Sequence, residues 1–134
     1  MRLVVDANAL FSALIKDGLT AELLFDASLS LYAPEFFVEE FIKYSKLILT
    51  KTSRTEDEFV QILHLLKEVI TVVLKESYSE FEKQAEAVSP DKKDAAYFAL
   101  ALKLKCGIWS NDKRLKDQKE VEVYSTAEIK SLLK

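Results

Sequence analysis

Leu3-Val4-Val5 is apolar at three consecutive positions, so a strand built from it must be covered on both faces. A half-exposed strand would alternate polar and apolar side chains. The run closes on Asp6, and the next apolar residues, Ala9-Leu10-Phe11 through Leu14-Ile15, recur at helical spacing. The same exchange continues along the chain. Leu29 to Ala33 (ended by Pro34), Val69 to Leu74 and Gly107 to Ser110 read as further strands, with Val121 to Tyr124 as an edge strand. Helices are expected over Ala9 to Ile15, stopped by Asp17-Gly18, and after a Thr20 cap. More follow from Glu35 to about Leu49, after a Thr55 cap, from Ser79 to Val88, from Asp94 to Lys105, and after a Ser125 or Thr126 cap. Thr50 to Arg54 reads as a polar, basic loop. Strands alternating with helices form a sheet with helices on both faces. The expected fold is therefore α/β: a single-domain three-layer sandwich over residues 1–134, with a central, mostly parallel five-stranded sheet flanked by helices.

A chain of 134 residues, 49% hydrophobic and 31% charged, can bury about two-thirds of its unfolded surface without a covalent staple. Two glycines leave no room for a G-x-G-x-x-G or Walker loop, which excludes dinucleotide and P-loop chemistry of the usual kind. Cys106 stands alone, so an internal disulfide and a cysteine-rich zinc site are excluded. Between Leu104 and Ile108 it reads as a small buried hydrophobe. The opening residues do not form a signal peptide, and no apolar run nears the ~20 residues of a membrane span. The expectation is a cytoplasmic protein with no membrane partner. Its 19 Lys+Arg against 22 Asp+Glu give a net charge of -3, which argues against a basic nucleic-acid coat but not against a local nucleic-acid site.

In open α/β sheets, ligands bind outside the carboxyl ends of the strands, and acids stand there in this chain. Asp6 follows the first strand, and Asn111-Asp112 the fourth. Glu39 and Glu40 lie in the helix after the second, while Asp91 and Asp94 open the helix leading into the fourth, at i and i+3. Carboxylates gathered from distant segments repel one another, and burial raises their pKa; a divalent cation relieves both effects. Hard oxygen ligands suit Mg²⁺ or Mn²⁺ rather than zinc. Each acid also has a plainer role. Asp91 reads equally well as a helix cap, Glu39 and Glu40 as a solvent face, and Asn111-Asp112 as turn chemistry. His64, inside the apolar pattern of Phe59 to Leu66, reads as structural or solvent-facing rather than as a base. The joint pattern is what favours a metal site.

The same residues resemble a family. Val4-Val5-Asp6-Ala7-Asn8 is similar to the opening D-x-N of PIN-domain nucleases. Tyr32-Ala33-Pro34-Glu35 with Val38-Glu39-Glu40 resembles their second motif, Asp91-Lys92-Lys93-Asp94-Ala95 the third, and Ile108-Trp109-Ser110-Asn111-Asp112-Lys113-Arg114-Leu115 the fourth. The resemblance runs in order over nearly the whole chain and implies a PIN-like fold. It also implies a metal-dependent ribonuclease in which Asp6, Glu40, Asp94 and Asp112 are the catalytic ligands of one or two Mg²⁺ or Mn²⁺ ions. Asn8, Ser110 and Asp91 would stand behind these ligands, and 5′-phosphate and 3′-hydroxyl ends would be left. Lys92, Lys93, Lys113, Arg114 and Lys116 flank the acids and are candidates to hold the RNA backbone, or form a solvated rim. Small PIN proteins also resemble the toxins of toxin–antitoxin pairs, so an antitoxin protein and a homodimer are expected partners beside RNA. The stretch from Tyr44 to Thr71 carries no motif and is where substrate choice or dimerisation would be set. Two other readings compete. An RNA-binding or assembly module with the same fold would keep the acids without cutting. A phosphatase of the haloacid-dehalogenase kind also starts with a strand-end Asp, but it needs an acid two residues on, where this chain has Asn8.

Overall fold

The computed structural model describes residues 1–15, 19–53 and 55–133, with backbone alone over 12–15 and 19–21. The Asp17-Gly18 stop and Arg54 lie outside the described residues. Five strands form one sheet: β1 (Arg2–Val5), β2 (Ser30–Pro34), β3 (Ile70–Val73), β4 (Gly107–Trp109) and β5 (Val123–Tyr124). Their order is β3-β2-β1-β4-β5, and every pairing is parallel, which goes beyond the mostly parallel sheet expected. Leu3, Val4 and Val5 are all buried, and successive strand residues point to opposite faces, so both faces of the central strand are covered. That is the requirement set by the apolar run.

The covering helices are α1 (Ala7–Ile15), α2 (Leu19–Leu24), α3 (Phe36–Lys43), α4 (Ser45–Thr52), α5 (Glu56–Val69), α6 (Lys75–Tyr78), α7 (Glu82–Val88), α8 (Ala95–Leu104) and α9 (Thr126–Leu132). Short 3₁₀ turns precede α7 and α8, at Ser79–Phe81 and Lys92–Asp94. The helix apolar nearly all round, α8, is central as its composition demands. It packs on β1, β2 and β4, and Tyr97, Phe98, Ala99, Leu100 and Ala101 are all buried. The capping sequences behave as read: Thr55 with Glu58, and Ser125 with Glu128, form reciprocal capping boxes on α5 and α9. Phe11, Phe37 and Phe59 gather on Phe41, with ring centroids 5.3–5.9 Å from it. No helix of the described residues is long and apolar enough to cross a membrane.

Several boundaries differ from the expected ones. The helix expected from Glu35 to Leu49 breaks at Tyr44 into α3 and α4. Most of the loop expected over Thr50 to Arg54 is the end of α4. Thr20 lies inside α2 rather than before it. The strand expected from Val121 shortens to Val123–Tyr124.

Candidate active site

Chain order delivers the acids to the carboxyl edge of the sheet. β1 ends where the Asp6 N–H donates to the Trp109 carbonyl of β4 at 3.0 Å, and the Asp6 carbonyl then accepts from Ala9 as α1 begins. The Asp6 side chain is 4% exposed. Its Oδ2 accepts from the Ser110 hydroxyl at 2.7 Å, and its Oδ1 lies 3.5 Å from the Asn8 backbone N–H. Ser110 Oγ in turn accepts the Asp112 N–H at 3.1 Å. One hydroxyl thus fixes the carboxylate after β1 to the backbone after β4. Asn8 contributes its backbone to Asp6.

Glu40 stands on α3, half-buried, and accepts at Oε1 from the Tyr97 hydroxyl of α8 at 3.0 Å. Of the two adjacent glutamates, Glu39 is exposed on α3 and Glu40 turns to the site. Asp94 precedes α8 without making a side-chain capping bond, so its carboxylate is left for the site. Asp91 caps the 3₁₀ turn before it, accepting from the Lys93 N–H at 3.0 Å, and it also lines the cleft above the acids.

These groups disturb one another. Burial pushes the Asp6 carboxyl above its ordinary range; Ser110 and Asn8 oppose the rise, and the charges of Glu40 and Asp112 add to it. Burial also raises Glu40, the Tyr97 bond opposes, and Asp94 adds. Asp94 is pushed up to about 6, by burial first and then by Asp6, Asp91 and Asp112. Asp112 goes the other way. Arg114 holds it low through Nε at 3.2 Å and Nη2 at 2.8 Å, with the Arg114 N–H at 3.0 Å. Among the described residues, Asp6, Glu40 and Asp94 have no salt-bridge partner.

Above these acids lies a cleft of about 390 Å³ whose lining includes Asn8, Glu40, Asp94, Asp112, Lys93 and Arg114. Of the expected backbone-holding cations, then, Lys93 and Arg114 face the acids. Lys92 lines a neighbouring cleft, Lys113 is exposed away from both, and Lys116 pairs with Glu128 on α9. Asn111 is structural: its side chain accepts the Thr126 N–H at 2.9 Å and donates to Thr126 Oγ1 at 3.0 Å, holding α9 to the end of β4. His64 is exposed on α5, and Cys106 is half-buried against the core with its thiol pushed up by burial. Sequence reading missed Tyr97, whose hydroxyl holds Glu40. It sits in an apolar run, and the signal is its position three residues after Asp94, on the same helix face.

The donor set is all carboxylate oxygen, which is the chemistry of Mg²⁺ and Mn²⁺. Buried, mutually repelling acids without a counter-cation are what a divalent ion would relieve. The fit is in chemistry rather than in spacing: among the described residues, no three His, Cys, Asp or Glu side chains already stand close enough to enclose an ion. A family model described as PIN domain matches residues 4–132, nearly the whole chain. No curated protein matches the chain.

Proposed function

The chain belongs to the PIN-domain family, typically nucleases, and on that premise we propose that it is a ribonuclease working with Mg²⁺ or Mn²⁺. Asp6, Glu40, Asp94 and Asp112 would hold the ion, which when bound supplies Lewis acidity that activates water and offsets charge on a phosphodiester. The protein's own groups do the rest. Ser110 holds Asp6 Oδ2 and the backbone N–H of Asp112, which ties the segments carrying the two acids together. Tyr97 occupies Glu40 Oε1 and leaves the second oxygen for the site. Lys93, with Arg114 once it leaves Asp112, would position a phosphate over the acids.

The observation that carries this reading is the gathering of acids from separate elements at one cleft, where Asp6, Glu40 and Asp94 have no salt-bridge partner among the described residues and burial raises all three. The test is direct. Purified protein is expected to cut RNA with Mg²⁺ or Mn²⁺, to stop with chelator, and to lose at least about a hundredfold in rate in Asp6→Asn. An active Asp6→Asn, or cleavage that chelator leaves untouched, would sink it. One observation favours a second reading, an RNA-binding module that does not cut: Asp112 is already neutralised by Arg114. RNA retained without product across several metals would decide for that reading.

A further inference from the structure

Beside the acid site lies a second cleft of about 410 Å³, within the range of small-molecule sites, about 300–1,000 Å³. Glu39 and Glu40 are neighbours on α3, yet Glu40 lines the first cleft and Glu39 the second, while Lys93 lines both. Phe36 forms one wall, edge-on to Tyr97 at 6.4 Å, and Tyr97 is the residue that holds Glu40. The two clefts are therefore adjoining rooms sharing a wall.

The second cleft contains an unused donor. Tyr78 is 2% exposed and lines it, and the residues acting on its hydroxyl are burial first, then Glu35, Glu82 and Glu39, all of the same cleft. No hydrogen bond to that hydroxyl is formed among the described residues. None of their fully buried polar atoms lacks a partner, so the hydroxyl oxygen keeps some exposure, and Tyr78 lines this cleft. Its pKa, pushed up to about 12, keeps the proton on at any ordinary pH. Of the carboxylates, Glu35 already accepts the Lys75 N–H at 2.8 Å and Glu82 lies 3.9 Å from the Lys75 ammonium. Glu39 and Glu86 have no such partner among the described residues, and Glu39 is the one beside Glu40 on α3. An unpaired carboxylate, a tyrosine and an aromatic wall thus line one cleft.

We infer that this cleft is a guanine subsite for the RNA nucleotide next to the scissile phosphate, with Glu39 and Tyr78 reading the base edge. This rests on the ribonuclease reading of the adjoining acids. Guanine alone offers two adjacent donors, N1–H and the N2 amino group, which a carboxylate accepts in bidentate fashion, beside an O6 acceptor for the tyrosine hydroxyl. Adenine and cytosine turn ring acceptors toward a carboxylate beside their single amino group. Uracil offers one N–H flanked by carbonyls. Phe36 supplies an apolar surface for the ring, and Lys93, at the boundary, suits the phosphate that links this base to the cut.

Binding is measured first without metal, by amide chemical-shift titration of the full chain with GMP, IMP and AMP. GMP is expected to bind about tenfold tighter than IMP, which lacks the N2 amino group, and than AMP. Tyr78→Phe and Glu39→Gln should each bring the ratios toward one. With Mn²⁺, short RNAs carrying a single G should be cut next to it, and the G-to-A ratio of cleavage should collapse in the same variants. Equal binding of all three nucleotides, or no binding, overturns the subsite whatever the cleavage result. A GMP preference without cleavage in any metal upholds the subsite and sinks the nuclease reading. A lysine-rich peptide that binds at Glu39 more tightly than GMP overturns the subsite in favour of a protein partner.

Discussion

Asp94 shows what a single carboxylate contributes when its surroundings are arranged against it. Its ordinary pKa of 3.8 rises to about 6 in the fold, so the folded chain holds that proton where the unfolded chain releases it. The stability this contributes is fully present below the unfolded pKa and is lost as pH rises through about 6. With chelator present, the melting temperature is therefore expected to fall between about pH 4 and about pH 7, and Asp94→Asn should flatten that fall. Thermal melts of the two proteins across that range check it; an unchanged slope in the variant contradicts it. Asp6, Asp94 and Asp112 were legible in the sequence because each stands just past an apolar strand or at the head of a helix, whereas Glu40, inside α3, could be told from Glu39 only by its neighbours in the fold. Tyr97 was not, because a buried aromatic in an apolar helix looks like packing until its hydroxyl is seen on Glu40. Nor was the fate of the cations: Lys116 turns from the site because Glu128 of α9 is within its reach, a contact between residues twelve apart.

Elements are set by contacts that no local pattern contains. Thr50 and Thr52 look like loop residues, yet both stay helical, their hydroxyls bonding back to the carbonyls of Lys46 and Ile48 at 2.9 and 2.6 Å. α4 ends one residue later, at Ser53 in the left-handed conformation, φ 55°. The break before α4 falls at Tyr44, whose ring meets Phe11 of α1 edge-on at 5.4 Å. At the other end of the sheet, β4 opens with Gly107 for a steric reason. A Cβ there would lie 2.6 Å from the Tyr124 ring and 3.0 Å from the Glu122 carbonyl, and the carbonyl belongs to the backbone with which Ile108 pairs. Gly107→Ala is expected to cost about 1–3 kcal/mol by pushing β5 off β4, measured by denaturant unfolding. A variant as stable as the parent would show that β5 yields freely.

Across the whole molecule, alternation made the layers and the five strands legible, whereas their order was not. Placing β4 beside β1 depends on pairs such as Leu3 with Gly107, which no local pattern records. That order puts the switch point between β1 and β4, where Asp6 and Asp112 emerge, as open α/β sheets require of a site. Because Asp6, Glu40 and Asp94 have no salt-bridge partner among the described residues, Mn²⁺ at about a hundred times its dissociation constant should stabilise the parent by about 2.7 kcal/mol at neutral pH. Asp6→Asn should respond much less, and equal shifts in melting temperature would place the ion elsewhere. The Ser110–Asp6 bond spans 104 positions of sequence. For a member of a nuclease family this distance is also a clock. At about 5–20 residues per second of synthesis, the first acid waits about 5 to 20 seconds for the last. Through that interval the message being translated is the nearest RNA, and the proposed site beside it stays incomplete.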